Sequence, residues 1–180
     1  MYEVPEASPV RGEHGLVAQG EGWFVVNARE SRWFGSEELG KYVHFEGDVR
    51  FDQLGINITV VQPGQPSCMY HGENAQEDFL VLAGEALLLI EGEERPLGAW
   101  DFVHCPPWTS HVIVGAGTGP CVFLAVGARP KDNEVRYEAA EVARRHDAAV
   151  AEDTGSPAEA YARFSDDRER PYREGDLPDL

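Results

Sequence analysis

The chain has 180 residues and a formal net charge of −17, from 32 acidic against 15 basic side chains. Such a field repels nucleic acid and anionic lipid, so neither is expected as a partner. No stretch reaches the ~20 apolar residues of a membrane helix, and the opening MYEVPEASPV lacks the basic and apolar regions of a signal peptide. The three cysteines, Cys68, Cys105 and Cys121, sit in or beside apolar runs, as reduced buried thiols do. These features together predict a cytoplasmic chain of one domain, long enough to bury a core without disulfides.

Residues 1–50 read as an N-terminal extension. Its short apolar runs, WFVVNA and KYVHFEG, predict strands that pack on the main body or on a partner. From Ile56 the pattern becomes regular: INITVVQPG, DFLVLAG, EALLLIEG, WDFVHCPP, HVIVGAG and PCVFLAVGA. These runs are rich in Val, Ile, Leu and Phe, and Gly or Pro punctuates them at the roughly 8–12-residue spacing of an all-β sandwich or barrel. AGEA and EGEER supply Gly for tight hairpins. Residues 51–130 are therefore assigned to the barrel.

Residues 131–180 change texture. NEVRYEAAEVARRHDAAVAED holds strong helix formers with a loose apolar face of Val135, Ala139, Val142 and Ala143. Ser156 as N-cap and Pro157 at the first helical position predict a second short helix. The charge-dense, Pro-containing ending is expected to add little core.

One stretch, YHGENAQE, puts a histidine and two glutamates at the lip of the most apolar segment. Side chains two apart on a strand share a face, so His71 and Glu73 can point into one space. Glu77 opens the next strand, and His111 follows a Pro-rich turn at the start of another. Four potential ligands at strand ends are how a barrel builds a site near its axis or mouth.

Residues 64–84 resemble the first cupin motif, in which glycine, histidine, glutamate and glycine recur at set spacings. Gly64, His71, Glu77 and Gly84 fall in place, and Pro106 and His111 match the second motif. The resemblance to a small single-domain "cupin 2" protein covers residues 56–127 and implies a double-stranded β-helix, the cupin jelly-roll barrel, with an N-terminal strand extension and short C-terminal helices. It also implies one divalent transition metal ion, with His71, Glu77 and His111 as ligands. The departures are specific. Glu73 stands where the family has a second histidine, Trp100 and Trp108 where the second motif has glycines, and Gly115 where it has asparagine. The spacer from Gly64 to His71 is one residue longer than the common form.

Two imidazoles and a carboxylate with open positions suit non-haem iron and accommodate other divalent ions. With Glu73 as a further ligand, the oxygen-richer set favours Fe, Mn, Ni or Zn over copper. Without it, Glu73 is the catalytic candidate, a general base beside the ion. Both roles stay open. Taken alone, a histidine at a strand end is most often structural; the joint spacing of His71, Glu77 and His111 is what favours a site.

The remaining candidates are weaker. His104 shares a strand with Cys105, and alternation lets only one of them face the cavity, with His104 expected outside. His14, His44 and His146 are expected at the surface, Cys68 and Cys105 as inert thiols, and Trp100 and Trp108 either at a pocket mouth or in packing. The leading functional expectation is a metal-dependent oxygenase, isomerase or lyase acting on a small polar molecule inside the barrel. A non-catalytic small-molecule or metal-binding module is the alternative, and a purely structural role the third. The strand-forming runs of residues 1–50 point to a homodimer, because unpaired edges and apolar faces need cover.

Overall fold

The computed structural model describes residues 3–165 and 168–178. Two β-sheets face each other around one core. The seven-stranded sheet runs in the order β10 (Phe102–Cys105), β7 (Glu77–Ala83), β12 (Cys121–Ala128), β5 (Leu54–Val61), β4 (Lys41–Val43), β3 (Arg32–Gly35) and β14 (Arg168–Pro171). The five-stranded sheet runs β13 (Val135–Tyr137), β6 (His71–Glu73), β11 (His111–Ala116), β8 (Glu85–Ile90) and β9 (Glu93–Gly98). A separate hairpin joins β1 (Ser8–Gly12) to β2 (Gly15–Gln19). All pairings between these strands are antiparallel, and the architecture is the expected all-β double-stranded β-helix.

The core follows from alternation. Val61, Phe79, Val81, Leu88, Ile113 and Phe123 come from both sheets and meet in one buried cluster. Strand β11 is buried on both faces, because Val112 and Val114 point the other way into a second cluster with Leu89, Val142 and Ala143. The hairpin joining β8 to β9 turns on Glu91 and Gly92 with φ of 48° and 80°, the left-handed pair that a two-residue turn requires. Gly84 joins β7 to β8 at φ 79°, where an added Cβ would lie 2.3 Å from the Pro120 carbonyl oxygen.

The extensions differ from the sequence-based expectation in several places. One placement agrees with it: strand β4, from KYVHFEG, packs on the barrel by pairing with β5 of the same chain. WFVVNA forms only a single bridge, between Trp23 and Glu6, and its place beside the barrel is taken by RWFG as β3. The helix expected over residues 133–153 contracts to α1 (Glu141–Arg144), because Val135–Tyr137 is drawn out as strand β13 against β6. The Asn74 side chain fixes that stretch, donating to the Asp132 carbonyl at 2.6 Å and accepting from the Glu134 amide at 2.9 Å. Helix α2 (Pro157–Ala160) forms as expected, with the Ser156 hydroxyl accepting from the Glu159 amide. The acidic ending does add core: Tyr172 and Leu177 pack on the cluster of Trp33, Val43, Val60 and Val122. Among the described residues, no helix is long and apolar enough to cross a membrane.

Candidate functional site in the barrel

The site begins at a cross-strand pair. His71 opens β6 and His111 opens β11, and the two are register partners with ring centroids 5.4 Å apart. Glu77 opens β7 on the facing sheet and puts Oε2 between them, 3.2 Å from His111 Nε2 and 3.8 Å from His71 Nε2. Inward alternation along β7 then brings Phe79 against His111, with ring centroids 5.2 Å apart. The three side chains line a cavity of about 190 Å³, together with Tyr42, Asn57, Thr59 and Cys68.

Each imidazole is held by its other nitrogen. Nδ1 of His71 lies 2.8 Å from the Met69 carbonyl and Nδ1 of His111 lies 2.9 Å from that of Thr109. A carbonyl only accepts, so Nδ1 carries the hydrogen and Nε2 is turned to the cavity, the orientation seen in metal-bound histidines. Glu77 Oε2 is buried and makes no well-aligned hydrogen bond, despite its short approach to His111. A buried carboxylate oxygen left without a partner is costly, and a cation placed between it and the two Nε2 atoms would satisfy all three.

The charges lean the same way. Burial pulls His111 down, but Cys105 and Glu77 outweigh it and hold the imidazole well above the ordinary range. Burial likewise opposes protonation of His71, yet Cys68 and Glu77 raise it to about 9. Burial pushes Glu77 up, and the two histidines more than reverse this, leaving it below its usual value. The pocket therefore stabilises positive charge beside Glu77, and a proton on either Nε2 would compete with a metal ion for the same place.

As they stand, no three His, Cys, Asp or Glu side chains among the described residues are set to hold a metal ion. The wider gap lies on the His71 side. The donor types, the presented nitrogens and the orphaned oxygen all fit a divalent ion.

Glu73 stands apart from this group. Its Oε2 accepts from the Asn133 side chain at 3.4 Å, and it is not among the residues lining the 190 Å³ cavity. Burial, then the charge of Glu77, raises its pKa, so this carboxyl keeps a proton more readily than an ordinary glutamate. Outside the barrel, exposed His104 bonds Asp78 at 2.6 Å while Cys105 is buried inside, as alternation requires. His44 departs from the surface position expected of it; it is partly buried and stacks on Phe34 at 4.6 Å.

Three lining residues escape the motif spacing. Asn57 and Thr59 alternate along β5 on the inner face with Val61, a polar pair inside INITVV that period-two reading could have flagged. Cys68, expected to be inert, lines the cavity with Sγ 3.9 Å from His71 Nδ1. Trp100 and Trp108 have φ of 76° and 70°, so both positions where the cupin motif has glycine keep the left-handed backbone that glycine favours. Both tryptophans are exposed. At Gly115 an added Cβ would lie 2.1 Å from the Gln62 carbonyl oxygen, which leaves no room for the family's asparagine.

Two facing sheets with histidines and a glutamate at the mouth define a cupin barrel, and residues 57–127 match the family model described as a cupin domain. That segment of the chain is a cupin domain. A proposed sugar phosphate isomerase from Acidithiobacillus ferrooxidans is 32% identical over 46% of this chain and 55% of its own, with a TM-score of 0.44. A sugar phosphate isomerase of the cupin superfamily from Silicibacter pomeroyi is 26% identical over 47% and 56%, with a TM-score of 0.45. A DMSP lyase from Ruegeria pomeroyi is 27% identical over 49% and 45%, with a TM-score of 0.42. The chain thus spans about half the length of these structures. No curated protein matches the sequence.

Proposed function

We propose that the barrel holds one divalent transition metal ion, Fe, Mn, Ni or Zn, through His71, Glu77 and His111, and acts as an enzyme on a small oxygen-bearing molecule. The observation that carries this reading is Glu77 Oε2, buried without a hydrogen bond between two presented Nε2 atoms. When bound, the metal supplies Lewis-acid polarisation of a ligand oxygen. The chain's own groups do the rest. Asn57 and Thr59 offer hydrogen bonds along one wall, Phe79 and Phe123 exclude water, and Glu73, two residues from His71 on β6, is the candidate for proton exchange. The three thiols form no disulfide, which fits a reducing cytoplasmic setting.

A second reading is a binding module without turnover, and the place of Glu73 outside the lining of the inner cavity favours it. Glu73→Gln separates the two. Unchanged metal content with turnover of an accepted substrate lowered ~10²-fold or more supports Glu73 as the proton-transfer group. Loss of metal in that variant would make Glu73 a ligand instead, and unchanged turnover would remove it from the chemistry.

A homodimer also belongs to this proposal. Strands β3 and β4 are paired within the chain; of the sheet edges, β10 is the one beside which two large apolar side chains, Trp100 and Phe102, are 75% and 65% exposed, and it is the edge we assign to a partner. A second copy adding its own β10 across a two-fold axis would cover both rings and pair the edge.

A further inference from the structure

The inner cavity does not end at the histidines. A second cavity of about 390 Å³ adjoins it, and both are lined by Tyr42, Ser67 and Cys68. The outer chamber is walled by Leu39 from the loop after β3 and by Tyr161 and Phe164 from the segment after α2, with serine hydroxyls between them. None of these wall segments belongs to the core strands of the barrel. The chamber is far larger than the voids of a packed core, which rarely exceed one water.

Its walls are fixed. The Gln65 side chain donates to the carbonyls of Glu37 and Leu39 at 3.1 and 2.9 Å. Tyr161 accepts the Met69 amide hydrogen at 3.3 Å and stands edge-on to Tyr137 at 5.7 Å. Ser165 ties the same segment to Glu38 at 2.8 Å. A chamber whose sides are braced from three separate segments is preformed for a ligand.

Charge decides what kind. Among the described residues lining the two cavities, none is lysine or arginine. Two cations that neighbour lining residues in sequence are already engaged: the Arg163 guanidinium lies over the Phe164 ring at 4.7 Å and donates to the Asp147 carbonyl, and Lys41 is 3.0 Å from Asp176. A phosphate or carboxylate entering the outer chamber would be desolvated with no lysine or arginine among its described lining residues, inside a chain of net charge −17. Aromatic and aliphatic walls with a few hydroxyls suit an uncharged body instead.

We propose that the chamber beyond Cys68 is a second compartment of the same binding site, and that the substrate is a two-part molecule with an uncharged body. Its oxygenated end lies between His71, Glu77 and His111, and its aromatic or aliphatic body lies between Leu39, Tyr161 and Phe164. This rests on the reading of the inner site given above.

The test is calorimetric titration of the purified full chain with three probes at neutral pH: catechol, 3-phenylcatechol, and 3-phenylcatechol carrying a carboxylate on its phenyl ring. Burying a second ring predicts that 3-phenylcatechol binds at least ~tenfold tighter than catechol after the costs of ordering it, and that the carboxylate removes that gain. Leu39→Trp, which fills the outer chamber, should abolish the gain while leaving catechol affinity unchanged. Ser165→Trp, placed on another wall, serves the same purpose if Leu39→Trp melts early. Equal affinities for catechol and 3-phenylcatechol, or a gain that survives in a folded variant, would overturn the outer compartment and leave the inner site standing. Tight binding of the carboxylate would overturn the uncharged body. Binding of none of the three would overturn the inner-site reading and this inference with it.

Discussion

Asp176 is the most informative single position for stability. Its carboxylate is 7% exposed, accepts from Lys41 Nζ at 3.0 Å and the Arg173 amide at 2.9 Å, and faces Arg170 Nη2 at 2.8 Å. It therefore clips the C-terminal segment, through β14, to β4 of the barrel sheet. Asp176→Ala leaves Arg170 buried and uncompensated, since its two terminal nitrogens make no aligned hydrogen bond. Breaking a buried pair by removing one partner costs about 3–5 kcal/mol. Lys41 keeps 32% of its side chain exposed and can rehydrate, which places the expected loss at the lower end, about 3 kcal/mol. Equilibrium urea unfolding at pH 7 measures this as a lower midpoint at unchanged slope.

The pH dependence has a definite sign. Burial raises Asp176, but the bonds from Lys41, Arg173 and Arg170 outweigh it and leave the folded-state pKa below the ordinary value. A depressed carboxyl contributes stability that is fully present above its unfolded pKa, about 3.9, and is lost as the pH falls through the folded value. The gap between wild type and Asp176→Ala should therefore shrink on acidification below pH ~4. A loss under about 1 kcal/mol at pH 7, or a gap that widens in acid, would refute the reasoning.

Gly115→Asn restores the family's asparagine but drives a side chain into the Gln62 carbonyl, 2.1 Å from the added Cβ. It should cost about 3 kcal/mol or prevent folding, read by circular dichroism melting, and a wild-type melting curve would show that the close approach is not real. Light scattering at micromolar concentration should give twice the 19.9 kDa chain mass, and Phe102→Glu on β10 should return it to one. A wild-type mass near 19.9 kDa would reject the dimer.

The barrel was legible because its strands carry their own punctuation. The apolar runs from Ile56 to Gly127 alternate in and out, and Gly84 and Gly92 stand where the chain must turn left-handed. His71, Glu77 and His111 were legible because strand-end placement and spacing together leave few other uses for them. What misled was local propensity overridden by distant pairing. Residues 133–140 read as helix, yet Val135–Tyr137 completes the edge beside β6, and nothing in their own composition announces Asn74 as the clamp. The tail was underestimated for a similar reason, since Tyr172 and Leu177 find their core only against Trp33, some 140 residues earlier. The outer chamber assembles from residues 36–42, 67–68 and 161–165, a juxtaposition no single stretch encodes.

Elemental analysis of the purified protein, alongside His71→Ala and His111→Ala, tests the metal centre most directly. On the proposed assignment three ligands from three strands would share one ion, so removing either imidazole would leave too few donors in fixed geometry. Wild type should carry about one divalent transition metal ion per chain, and each variant should lose most of it while still folding. Metal near one per chain in both variants, or a metal-free wild type that takes up none of Fe, Mn, Ni or Zn on dialysis, would contradict the assignment.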